Sequence, residues 1–194
     1  MRSELRNITV EDRLRSYLDK EAKLFADNPI LSRFYSWQKQ MLQSVKVEPT
    51  NEIVGVRQLI DHAGLSNHFE AKRCYDNALQ LTIASLGEQE TNYVEGFVVV
   101  NEHMLFGHAW NSKGGQYFDH TTELMNALLV ERGVALPTQH FFKVIELPLR
   151  DVYAHSISED ETSIQVLHFL KQNGLKLSDL KVGWDLIPNA EHLP

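Results

Sequence analysis

Tyr93-Val94-Glu95-Gly96-Phe97-Val98-Val99-Val100 decides the fold, because its β-branched content and its period of two point to a strand. Met104 to Ser112 and Gly115 to Asp119 read as two further strands joined across Lys113-Gly114-Gly115, whose glycines supply the positive φ of a tight hairpin. Downstream, Phe141-Phe142-Lys143-Val144-Ile145-Glu146-Leu147 predicts another strand, ended by Pro148. Upstream, the pattern is helical. Leu14, Leu18 and Leu24 with Phe25 fall at helical spacing, as do Ile30, Phe34, Trp37 and Met41 with Leu42, and Asn28-Pro29 separates the two stretches into a helical hairpin that Pro49 ends. Thr50 or Asn51 is placed to cap a third helix over Ile53, Val56, Leu59 and Ile60, stopping at Gly64.

Asn67, followed three residues later by Glu70, offers a cap for a fourth helix to about Ser85, with Cys74, Ala78 and Leu81 on one face. Thr121 to Arg132 and Glu161 to Asn173 read as helices, the second stopped by Gly174, and the remainder to Pro194 as irregular. Helices come first and an antiparallel sheet follows, so the expected class is α+β, with N-terminal helices packed on an antiparallel sheet. A length of 194 residues, 43% of them hydrophobic, suits a single domain over 1–194. Within it, 1–66 forms a helical N-terminal part, 67–149 the core that carries the chemistry, and 150–194 a C-terminal helix and tail.

Composition narrows the function. The charged N-terminus lacks an apolar run of signal-peptide length, and no stretch approaches the span of a membrane helix, so the cytoplasm is the expected compartment. Cys74 is the only cysteine, which excludes an intramolecular disulfide and a cysteine-rich zinc site. The charge of −7 arises from 26 acidic against 19 basic residues, without a Lys/Arg run, so neither nucleic acid nor an anionic membrane is an expected partner. His103, His108 and His120 with Glu102 do not suggest a metal site, because His103 and His108 have opposite strand parity and no His-Glu-x-x-His helix exists. No cofactor is expected.

The hairpin itself makes a chemical argument. If its loop is Lys113-Gly114, His108 lies directly opposite Asp119; if it is Gly114-Gly115, Asp119 sits opposite Trp110 and diagonal to His108. Either register puts imidazole and carboxylate on one face, where the carboxylate can accept the imidazole N–H and fix its tautomer, whereas a three-residue loop without a bulge would exchange the faces. A thiol becomes a strong nucleophile as thiolate, which a neighbouring His and a helix N-terminus favour. With Asn67 as the cap, Cys74 is two turns in and the helix dipole helps little; a start near Lys72 restores it.

Cys74-Tyr75-Asp76-Asn77-Ala78-Leu79, then Tyr93-Val94-Glu95-Gly96, then His108-Ala109-Trp110 and Tyr117-Phe118-Asp119-His120-Thr121 together resemble the core of the papain and transglutaminase-like cysteine enzymes. The resemblance spans about residues 70 to 122. It implies a papain/transglutaminase-like core in which Cys74, His108 and Asp119 form a catalytic triad, with Cys74 opening a buried helix. It further implies acyl transfer on amide bonds of a peptide or protein through a thioester on Cys74, as a peptidase, amidase, deamidase or transglutaminase. His120 stands where the family usually has proline. Papain-like relatives carry a Gln a few residues before the Cys, whereas this chain has Asn67 and His68, and Asn67 could donate to an oxyanion from its side-chain amide. Trp110 shares the strand face of His108 and could wall the substrate cleft or serve the core, and Glu95 is a further cleft candidate. Two other readings stand beside this one: a binding protein that keeps the fold without catalysis, and a coenzyme A-dependent acyltransferase of the arylamine N-acetyltransferase kind.

Overall fold

The computed structural model describes residues 8–66, 73–86, 91–156, 163–180 and 191–192. Helix α1 (Val10–Leu24) opens on a capping box, in which Thr9 and Asp12 satisfy each other's backbone N–H groups. Helix α2 (Pro29–Met41) has Pro29 at its first position and Asn28 as its cap, accepting from the Leu31 N–H at 3.2 Å. Arg15 ties the two together by donating to the carbonyls of Lys39 and Leu42 at 2.7 and 2.9 Å, at the end of α2 where intrahelical partners run out. The helical hairpin is thus as expected, but it does not run to Pro49. Strands β1 (Gln43–Val45) and β2 (Val47–Glu48) occupy that stretch, each too short to show a period of two.

The third helix also differs from expectation. A 3₁₀ turn covers Thr50–Glu52, Gly55 takes a left-handed φ of 77°, and only then does α3 (Val56–His62) begin. A left-handed residue cannot continue a right-handed helix from Thr50 through Val56. Helix α4 (Cys74–Ala84) starts at Cys74, and the capping residues expected at Asn67 and Glu70 lie outside the described residues. Then follow β3 (Thr91–Val100), β4 (Met104–Lys113), β5 (Gln116–Phe118), α5 (His120–Glu131) and β6 (Gln139–Leu147). After Pro148 come α6 (Leu149–Ser156) and α7 (Ile164–Gln172), then a 3₁₀ turn at Leu177–Asp179 and β7 (Glu191–His192). Helix α6 and strand β7 were not expected from the sequence.

The molecule is α+β, and its sheet runs β1-β6-β3-β4-β5-β2, with β7 pairing β4. The sheet is mixed rather than antiparallel, because β2 runs parallel to β5. One segment causes this. Strands β1 and β2 are separated only by Lys46 yet lie at opposite ends of the strand order, so one short segment, antiparallel to β6, must meet β5 in parallel. The sheet therefore curls until its two edges meet along residues 43–48. Val94, Val98, Trp110 and Phe141 fill the inside of the curl. On the outer face Tyr93, Phe97, Val99 and Ala109 pack against Leu14 and Leu18 of α1, Ala78 of α4 and Val152 of α6. Each large apolar side chain so buried contributes about 1.5–3 kcal/mol. Among the described residues no helix is long and apolar enough to cross a membrane.

Candidate active site

The β4–β5 turn decides where the carboxylate goes. Lys113 pairs with Gln116, and Gly114 and Gly115 have φ of 59° and 83°, so the loop is Gly114-Gly115, the second of the two registers the sequence allows. Two consecutive positive φ angles are what a primed two-residue hairpin turn demands. Phe118 ends β5 opposite Asn111, and Asp119 leaves the strand on the face of Trp110, diagonal to His108. There it performs two tasks. Its Oδ1 accepts from the Thr122 N–H at 3.0 Å as the N-cap of α5, and its Oδ2 lies 2.5 Å from His108 Nε2. An Asp just before an expected helix was a cap signal legible in the sequence, although only its role as a partner of histidine was read there.

Cys74 is the first residue of α4, preceded by Arg73, which makes no side-chain cap. It therefore sits in the first turn, where the helix dipole acts on a negative charge. Its thiol lies near enough to the His108 ring to help raise the ring's pKa. Because Nε2 faces Asp119, Nδ1 is the ring nitrogen left for Cys74. The sheet register makes room for this contact. On its outer edge β4 is paired by β7 at Met104 and Leu105 and by β5 from Asn111, so among the described residues no strand pairs with that edge from Phe106 to Trp110.

All three side chains are buried, with His108 9% and Asp119 4% exposed. Burial works against a charged imidazole, yet the charge and hydrogen bond of Asp119, joined by the Cys74 thiol, outweigh it and push the His108 pKa up to about 10. Burial works against the Asp119 carboxylate as well, and the His108 charge with the Thr122 contacts holds it below the usual range. At neutral pH the ring therefore carries its proton.

The imidazole is held in an aromatic slot. Trp110 stacks beside it at 6.0 Å and 23°, Phe141 tilts against it at 6.2 Å, and the two aromatics meet edge to face at 5.6 Å. Trp110, only 1% exposed, is thus a core side chain that touches the candidate catalytic ring. Phe141 was not singled out from sequence; it reaches His108 from β6 across β3, a pairing that no local pattern encodes. Gly96 stands opposite His108, and a Cβ there would lie 2.1 Å from the Phe142 carbonyl, because β3 and β6 approach closely where their register shifts.

Glu95 lies on the other face of the sheet from His108, since its ladder partner is Ala109. Fully buried, it accepts from the Tyr93 hydroxyl at 3.1 Å, from the Gln165 N–H at 3.1 Å and from Ser163, so it holds the N-terminus of α7 rather than lining a cleft. Burial pushes its pKa up to about 7 against the pull of those donors. Asn67 lies outside the described residues. A cavity of about 570 Å³ is lined by Asp119, Val47 of β2, Glu123 and Asn126 of α5, and Phe141 of β6. It touches neither Cys74 nor His108. The structure thus brings together Cys74, His108, Asp119 and Trp110, and sets Glu95 apart. No family model matches this chain, and neither a curated protein nor a solved structure matches it.

Proposed function

We propose that the chain is a cysteine-dependent acyl-transfer enzyme with a papain/transglutaminase-like core, acting on amide bonds of a peptide or protein through a thioester on Cys74. The observation that carries this reading is the His108 ring, bonded at Nε2 to the Asp119 carboxylate and neighboured by the Cys74 thiol at the first residue of α4. Its members come from the start of a helix, the middle of a strand and the cap of a second helix. A buried Cys, His or Asp on its own is an ordinary core or turn residue. Three of them in this order, with one ring joining the other two, are the parts of an activated nucleophile.

The chemistry follows from the protonation states. The reactive form of the pair is thiolate and imidazolium, and Asp119 holds the ring so that Nδ1 faces the sulfur. The sulfur forms a bond to the amide carbon, and the carbonyl electron pair moves to oxygen. The N–H groups of the first turn of α4 are the donors best placed to receive that charge. As the C–N bond breaks, His108 gives its proton to the departing nitrogen, leaving a thioester and a neutral ring. Water, or an amine, then loses a proton to His108 and displaces the sulfur. The choice of acceptor separates a peptidase, amidase or deamidase from a transglutaminase.

The test is intact-mass detection of an acyl-type activity-based probe on Cys74, in the native chain and in His108→Ala. Labelling that falls steeply in the variant is expected. Equal labelling of both would remove His108 from the reaction, and no labelling of the native chain would favour a fold kept for binding alone. Acetylation of Cys74 by acetyl coenzyme A would instead move the chain to the acyltransferase class.

A further inference from the structure

Cys74, His108 and Asp119 stand on three different elements, so the reaction proposed above needs something to fix α4 against the other two. Two buried asparagines do this. Asn77 lies one turn after Cys74 on the same face of α4, and its Nδ2 donates to Thr121 Oγ1 at 3.0 Å. Thr121 sits in the first turn of α5, two residues after Asp119, so this bond joins the helix of the nucleophile to the helix that Asp119 caps. From β4, Asn111 donates through Nδ2 to the Ala78 carbonyl at 2.9 Å and to Thr82 Oγ1 at 3.0 Å, and lies 3.2 Å from the Asn92 carbonyl. That joins the same helix to the strand of His108.

The two anchors differ in what they hold. Asn111 grips the middle of α4 and an adjacent strand, as a residue that supports packing would. Asn77 and Thr121 are 6% and 7% exposed and lie beside the thiol and the carboxylate respectively. Among the described residues, the Asn77–Thr121 bond is the side-chain hydrogen bond that joins α4 to α5.

We infer that Asn77, through its hydrogen bond to Thr121, is a positioning residue that sets the distance between the Cys74 thiol and the His108–Asp119 pair. The inference rests on the acyl-transfer reading, because only a thiol that shares its proton with His108 is sensitive to that distance. A displacement well short of the length of a hydrogen bond is enough to cost a reaction rate an order of magnitude or more.

The experiment is the rate of Cys74 alkylation from about pH 5 to about pH 9, with melting temperature measured in parallel, for the native chain, Thr121→Val, Thr121→Ser and Asn77→Ala. The native chain is expected to react well below the pH range of an ordinary thiol. Thr121→Val removes the acceptor and is expected to lose about tenfold of that low-pH rate while keeping its rate near pH 9. Thr121→Ser keeps the acceptor and is expected to retain the native profile. Asn77→Ala removes the same bond from its other end and decides the matter if Thr121→Val does not fold. The doubly substituted chain is expected to lose no more than either alone.

A merely structural bond would lower the melting temperature and leave the shape of the profile unchanged, and that result would overturn the inference. So would a serine variant that behaves like the valine one. If the native chain itself reacts only in the ordinary thiol range, the acyl-transfer reading fails and this inference with it. A native low-pH limb that Thr121→Val and Asn77→Ala both preserve overturns the positioning role alone.

Discussion

Two buried ionisable clusters sit back to back on the β3–β4 ladder, one residue apart in each strand. On the inner face His108, paired with Gly96, meets Asp119 and Cys74. On the outer face Glu95, paired with Ala109, meets the Tyr93 hydroxyl, Ser163 and the Gln165 N–H. Burial is similar and the outcome is opposite. His108 has a counter-charge, so its charged form prevails and its pKa rises to about 10; Glu95 has only neutral donors, so burial prevails and its pKa rises to about 7. A fully desolvated group stays charged where an opposite charge meets it, and hydrogen bonds from neutral groups do not offset the loss of water. The inner cluster is thus held as an ion pair, and the outer one anchors a helix.

Gly96 is the hinge between the faces, and Gly96→Ala should have the largest effect. The added Cβ meets backbone, not a flexible side chain, so the close approach of β3 and β6 must open. A loss of about 4 kcal/mol in urea unfolding is expected, as for the severe end of overpacking, and a variant of native stability would show that the approach is not required.

Next comes the pH dependence of the outer cluster. Glu95 ionises near 4.5 when unfolded and near 7 in the fold. Its folded pKa is raised, so its contribution to stability is full below the lower value and is lost as pH rises through the upper one, by on the order of 3 kcal/mol. Glu95→Gln should level that window. The decline that remains belongs to His108, whose contribution is full below 6.5 and is lost as pH rises through about 10. Denaturant titrations across pH would separate the two windows, and an unaltered lower window in Glu95→Gln would reassign it.

Smaller effects sharpen the inner cluster. His108→Ala should slow probe labelling of Cys74 near neutral pH by about a hundredfold, the low end for loss of a general acid-base group. Asp119→Asn should slow it by about tenfold through a lowered His108 pKa, while α5 stays capped, because asparagine caps as well as aspartate. If helix content falls in that variant as far as labelling does, the cap and not the charge is its main role; circular dichroism reads the first and intact mass the second.

Much of this arrangement was legible along the chain, for reasons that stay local. Glycines 114 and 115 mark a tight two-residue turn, and either register such a turn allows puts Asp119 on the face of His108; the structure selects Gly114-Gly115. Asn28-Pro29 and Gly174 mark helix ends by backbone chemistry alone. Residues 43–48 were not legible, since strands of two or three residues have no period and take their pairing from chain that lies far along the sequence. Glu95 was not placed by sequence for the same reason: the pairing of β3 with β4 turns it away from His108, and the docking of α7 shows what it meets.

Read along the chain, the residues settled the main helices and strands and the common face of one imidazole and one carboxylate, because each depends on backbone geometry within a few residues. Only the tertiary structure decided that the curled sheet closes through Lys46, that α4 begins at Cys74 with the thiol against His108, and that Phe141 completes the slot around the ring. Those contacts join segments separated by tens of residues, where packing of the whole core and not local preference selects the neighbour.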